Sequence, residues 1–298
     1  MLLKSHHFTS FTSKLILFST FFCFFISLFV SELVLNLIIF SGILSFGVIH
    51  GANDLFLLKK NSSTNEISNI KLFVTYLSMV LLCGGFFYFF PSFALIFFVL
   101  YSSFHFGEQQ WTLFEKKSKS KKILLLYFNY GLFLFSSLFW INSHQVSDII
   151  SDITGFLIVE DFFTKLLLLS SFTMIFSIVL NFKSILNQIV IQLILIIILQ
   201  IFFLNSSLIW GFGVFFIFWH SIPSILEQSN FLFGSLSWIS ILKYLKYAFF
   251  YWVLSLIGLC LLYYMLKDYQ NLLVSVLFSF LAAITLPHTI VIYKIKTN

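Results

Sequence analysis

Apolar residues run through this chain in long stretches, separated by short polar segments that hold most of the lysines. A helix needs about 20 apolar residues to cross a bilayer. On that measure the pattern predicts ten helices, at 15–31, 33–58, 72–90, 92–114, 123–141, 165–182, 185–204, 206–228, 245–266 and 271–293. Between the fifth and sixth lies the longest polar interval, Asn142 to Thr164. There Val146, Ile149, Ile150, Ile153 and Leu157 recur at helical spacing opposite Asp148, Ser151 and Asp152. That spacing predicts a short amphipathic helix along the membrane interface.

Composition points the same way. Of 298 residues, 60% are hydrophobic and 9% charged, whereas a soluble domain carries about 25% charge. The expected fold is all-α: a polytopic transmembrane helix bundle of about ten helices, forming one integral membrane domain over residues 1–298. Lys4 and Lys14 precede a first apolar run without a small-x-small cleavage site after it, so that run reads as a retained helix and not a cleaved signal.

All 17 basic residues are lysines. With a cytoplasmic N-terminus, Lys4, Lys14, Lys59, Lys60, Lys71, Lys116, Lys117, Lys119, Lys121, Lys122, Lys183, Lys243, Lys246, Lys294 and Lys296 fall inside, and only Lys165 and Lys267 fall outside. Positive charge gathers on the cytoplasmic side, so both termini are expected there, in the cell's inner (cytoplasmic) membrane. The net charge of +6 is thereby a topological signal and does not indicate a nucleic-acid partner. Cys23, Cys83 and Cys260 lie far apart in apolar runs and suggest neither a zinc site nor a disulfide framework.

Against this background four histidines stand out. His50, His105, His220 and His288 fall on the second, fourth, eighth and tenth expected helices, while His6, His7 and His144 lie in polar segments. An ionisable group inside the bilayer costs roughly 2.5–3.5 kcal/mol or more, so such groups are usually paired and functional. Each of the four lies some six to eleven residues before its helix's cytoplasmic end, a band about 9–17 Å from the inner boundary at 1.5 Å per residue. Imidazoles converging at one depth suit a metal such as iron, zinc, copper or nickel. Asp54, Glu108 and Glu227 follow His50, His105 and His220 by four, three and seven residues, which returns to the same helix face. Carboxylates there would orient metal-bound imidazoles. Gly51 and Gly107 permit close helix approach, and Pro223 and Pro287 flank two of the histidines.

The segments His50-Gly-Ala-Asn-Asp54, Phe104-His-Phe-Gly-Glu108, Phe218-Trp-His-Ser221 with Pro223, and Leu286-Pro-His288 together resemble the Brp/Blh family of bacteriorhodopsin-related membrane proteins, in that family's order. The resemblance implies a β-carotene 15,15′-dioxygenase with a non-haem Fe(II) held by histidines, here His50, His105, His220 and His288. It implies O2-dependent cleavage of the central double bond of β-carotene or a related polyene drawn from the bilayer. Two molecules of retinal result, with a rhodopsin as one recipient. Asp54, Glu108 and, more weakly, Glu227 would orient the ligands. One position departs from the pattern: many family members carry a second histidine one turn after the Trp-His-Ser motif, where this chain has Ser224.

Other functions remain compatible with the residues alone. A membrane di-iron oxygenase on a lipid substrate would use the acids as direct ligands, although the HxxxH and HxxHH clusters of desaturases are absent from the sequence. A single haem between two histidines, or a non-enzymatic carotenoid-binding or transport protein, would also explain buried imidazoles.

Overall fold

The computed structural model describes residues 2–61, 68–113, 121–266 and 273–297. Among them there is no strand. Twelve helices follow one another: α1 (Leu2–Ser27), α2 (Glu32–Gly47), α3 (Asp54–Asn61), α4 (Asn69–Phe89), α5 (Pro91–Thr112), α6 (Ile123–Ile141), α7 (Ser143–Thr154), α8 (Glu160–Ile185), α9 (Ile189–Leu204), α10 (Leu208–Phe233), α11 (Trp238–Leu266) and α12 (Leu273–Thr297). Two of them contain a π-helical stretch, Ile43–Gly47 at the end of α2 and Phe215–Ser221 within α10.

Among the described residues six helices are long and apolar enough to cross a membrane: α4, α6, α8, α10, α11 and α12. Three of the other expected spans correspond to shorter apolar helices, Phe11–Ser27, Glu32–Gly47 and Ile189–Leu204. The expected span 92–114 corresponds to α5, whose second half carries Ser102, Ser103, His105, Glu108, Gln109 and Gln110, all buried. The amphipathic helix expected after Asn142 is α7. Lys116, Lys117, Lys119 and Lys267, used to assign orientation, lie outside the described residues.

The expected span 33–58 is not one helix. The backbone leaves helical geometry at His50–Asn53, where Gly51, Ala52 and Asp54 donate to carbonyls three residues back instead of four, and α3 then starts afresh. Gly51 and Asn53 are poor helix formers at this point, and the Asn53 amide is drawn to the Tyr244 carbonyl. His50 therefore sits at a break, and a depth counted along one continuous helix does not apply to it.

The chain divides into two compact units. The first comprises Met1–Ile43, Val99–Asp148 and Leu157–Pro223. Its helices meet through small residues and amides, the usual currency of helix contact where lipid removes the hydrophobic drive. A Cβ on Gly107 of α5 would overlap the Tyr127 carbonyl of α6, and one on Gly131 of α6 would overlap the Ser103 carbonyl of α5. The two backbones thus touch at both glycines. Asn129 of α6 donates to Ser177 Oγ of α8 at 2.5 Å, and Asn181 of α8 donates to the Lys122 carbonyl at 3.1 Å. Gln192 of α9 donates to the Gln110 carbonyl at 3.1 Å.

The second unit comprises Leu44–Phe98, Ile149–Phe156 and Ser224–Asn298. Leu57, Ile225, Leu232, Tyr244, Ala248, Val291 and Ile292 form its core. Lys60 at the end of α3 donates to the carbonyls of Phe231 and Leu232, satisfying the last turn of α10. α4 packs against α3 and α12 in this unit, yet none of its residues is fully buried.

Candidate metal centre

The four histidines fall into two pairs, one in each unit. In the second unit His50, at the break after α2, meets His288 of α12 edge-on with ring centroids 4.7 Å apart. Asp54, the first residue of α3, is 1% exposed and faces His288, which is 2% exposed. Its Oδ1 lies 2.8 Å from His288 Nδ1, and its Oδ2 accepts from the Tyr76 hydroxyl of α4 at 2.8 Å. The carboxylate thus serves His288, where helical spacing suggested His50 as its partner. The broken backbone explains the change, because four residues no longer make one turn here. Gly51 leaves room at the junction: a Cβ on it would sit at ordinary contact distance, 3.5 Å, from His288 Nδ1.

The His50–Asn53 turn is held from both ends by Tyr244 of α11. The Tyr244 hydroxyl lies 3.0 Å from the His50 carbonyl, and Asn53 Nδ2 donates to the Tyr244 carbonyl at 3.0 Å. The same hydroxyl is 2.8 Å from Gln228 Oε1, whose amide nitrogen is 2.8 Å from Ser224 Oγ. Ser224 is thus buried in a hydrogen-bonded chain that ends on the backbone of His50.

In the first unit His105 of α5 and His220 of α10 meet with ring centroids 4.9 Å apart, again near-perpendicular. Here aromatic rings enclose the imidazole. Phe106 packs its edge against His220 at 4.4 Å, and Phe216 stacks on it at 5.6 Å. His220 lies in the π-helical stretch just before Pro223, where the main-chain ladder is loosened. Its carbonyl accepts from Gln109 Nε2 at 3.0 Å. Neighbouring Trp219 donates its indole N–H to Thr20 of α1 at 2.9 Å, and Trp111 packs edge-on against Tyr130.

The acids differ in placement. Glu108 is buried one turn from His105 on α5. Glu227 is half-buried on the last turns of α10, in the second unit, whereas His220 belongs to the first. His144 is exposed on α7, 3.8 Å from Asp148. Tyr76, Tyr244 and Gln109 were not singled out by sequence. One tyrosine among 12 gives no signal, but a glutamine beside Glu108 in an apolar helix is itself a polar residue in need of a partner.

The donor set suits a divalent metal. A buried imidazole whose Nδ1 is engaged by a carboxylate has its tautomer and ring plane fixed, and Nε2 is then the nitrogen that would hold the ion. Neutral imidazole accommodates iron, zinc, copper or nickel.

The family model for beta-carotene 15,15'-dioxygenase matches residues 41–296. No curated protein and no solved structure matches the chain. The matched span includes all four histidines and reaches from within α2 almost to the end of α12, and on that match the chain belongs to the beta-carotene 15,15'-dioxygenase family.

Proposed function

We propose that this protein is a membrane-embedded carotenoid dioxygenase that uses Fe(II) and O2 to cleave the central double bond of β-carotene, or of a related polyene, into two molecules of retinal. One oxygen atom goes to each carbon of the broken bond, so the reaction balances without a further reductant. The observation that carries the reading is the buried Asp54–His288–His50 arrangement within a chain of this family.

His50, His105, His220 and His288 are the proposed Fe(II) ligands. Fe(II) bound by neutral imidazoles keeps positions open for O2, and that is the chemistry the metal supplies. Asp54 holds His288 in the tautomer that presents Nε2. Glu108 and, more weakly, Glu227 are proposed to orient their histidines in the same way. Phe106 and Phe216 exclude water from the His220 face, as suits a hydrocarbon substrate that dissolves only in lipid. The whole chain acts as one domain of about ten spans in the cytoplasmic membrane with both termini inside. Retinal delivered to a rhodopsin would complete its role.

Expression in β-carotene-producing cells tests the activity. Loss of orange colour with retinal appearing is the expected result; unchanged colour with the protein present in the membrane overturns it. Reporters test the orientation: one fused after Lys122 is expected in the cytoplasm and one inserted near His144 outside. Both on the same side would discard the ten-span map.

A further inference from the structure

A carboxylate buried as deeply as Asp54 is costly to keep charged unless both its oxygens are engaged. Oδ1 faces His288, and Oδ2 takes the hydroxyl of Tyr76. These two contacts at 2.8 Å fix the carboxyl plane. Without the second, the group could rotate about its Cβ–Cγ bond and leave His288 Nδ1 poorly met. Tyr76 comes from α4, which contributes no fully buried residue. Its ring packs on the core of the second unit, and its hydroxyl enters the polar site.

We propose that Tyr76 is a positioning residue of the metal centre: through Asp54 it sets the orientation and tautomer of His288, and so the affinity of the site for Fe(II). The inference rests on the metal-binding reading above and adds a residue to it. Tyr76 acts on the metal only through the carboxylate, so its effect must vanish when the carboxylate is removed.

The test is Fe(II) titration of the purified full chain in lipid nanodiscs, by equilibrium dialysis, with retinal formation as a second readout. Wild type binds Fe(II). Tyr76→Phe, which removes one oxygen and keeps the ring, is expected to weaken binding about tenfold or more, within the range of lost partners of metal-bound histidines. Tyr88→Phe, altering an 82%-exposed tyrosine on the same helix, is expected to leave it unchanged. In an Asp54→Ala background, Tyr76→Phe is expected to add no further loss. A merely structural tyrosine would instead lower thermal stability without this dependence on Asp54. Wild-type affinity in Tyr76→Phe, or losses that add in the double variant, would overturn the proposal while leaving the metal reading intact. Absence of Fe(II) binding by wild type would remove both. If Tyr76→Phe fails to fold, 3-fluorotyrosine at position 76 keeps the fold. Its fluorine resonance is expected to move when Asp54→Ala removes the oxygen that accepts from the hydroxyl, and an unmoved resonance overturns the proposal.

Discussion

The two histidine pairs are built by different means. In the second unit the imidazoles are held by polar chains: Tyr76 to Asp54 to His288 on one side, and Ser224 through Gln228 and Tyr244 to the His50 carbonyl on the other. In the first unit His220 is held by rings, Phe106 and Phe216, with a single amide, Gln109, on its carbonyl. Both units nevertheless place one histidine on regular helix, His288 or His105, and one on irregular backbone, His50 or His220. In each case the irregular histidine has its carbonyl bonded by a side chain from another helix. An interrupted ladder leaves carbonyls to satisfy, and within a membrane protein only another part of the protein can do so. The difference teaches that a carboxylate fixes the ring plane of His288, while aromatic rings close around that of His220.

The largest expected effect ignores the contrast. His50→Ala, His105→Ala, His220→Ala and His288→Ala should each abolish retinal formation in membranes that still contain the protein, while His144→Ala leaves activity unchanged. Full activity in any of the four variants would take that residue out of the metal's ligands.

A smaller effect separates the pairs. Asp54→Asn should lower Fe(II) affinity by about 10–100-fold, with activity partly recovered by excess Fe(II). Phe106→Ala leaves a gap beside His220 and should lower kcat, by up to about a hundredfold for a displacement near 1 Å. Added iron should restore less of that loss, since the defect is shape and not affinity. Equal iron rescue of both variants, measured in the same membranes, would erase the distinction between polar and packed pairs. Glu108→Gln is the sharper case within the first unit. Complete loss that iron cannot rescue would make this acid a direct ligand, and a di-iron carboxylate centre would replace the all-histidine proposal.

The smallest effects fall on the carbonyl contacts. Tyr244→Phe and Gln109→Met each remove one hydrogen bond to a histidine carbonyl, worth about 1 kcal/mol of stability. Thermal unfolding should register a similar small loss in both. A far larger loss in Tyr244→Phe would show that the Ser224–Gln228 chain behind it is cooperative.

Much of this site can be read from sequence because charge is so rare in the chain. A histidine or aspartate amid leucine and phenylalanine needs a reason, and His50, Asp54, His105, Glu108, His220 and His288 are conspicuous for that reason alone. Their partners are harder to read. Counting four residues along a helix pairs Asp54 with His50, but the Gly-Ala-Asn turn interrupts that helix. Tyr76 meets Asp54 across 22 positions of sequence, and nothing local marks one tyrosine from another. The π-helical stretches leave no trace in the hydrophobic pattern, because an apolar run is apolar whatever its pitch. The lengths of α6 and α8 follow from apolar runs, but the backbone contact of α5 with α6 depends on where Gly107 and Gly131 face.

The π-helical stretch at Phe215–Ser221 also carries an angular consequence. A π turn accommodates one more residue than an α turn, and each residue of an ordinary helix advances by about 100°. A helical wheel drawn from Leu208 at constant pitch therefore mispoints everything beyond the stretch by roughly that angle. His220 owes its bearing toward Phe106 and His105 to this wider turn. Closing this stretch to regular α-helix with every residue kept would swing the imidazole by roughly that angle away from its partners, whereas deleting one residue between Phe215 and Trp219 would leave its bearing nearly unchanged.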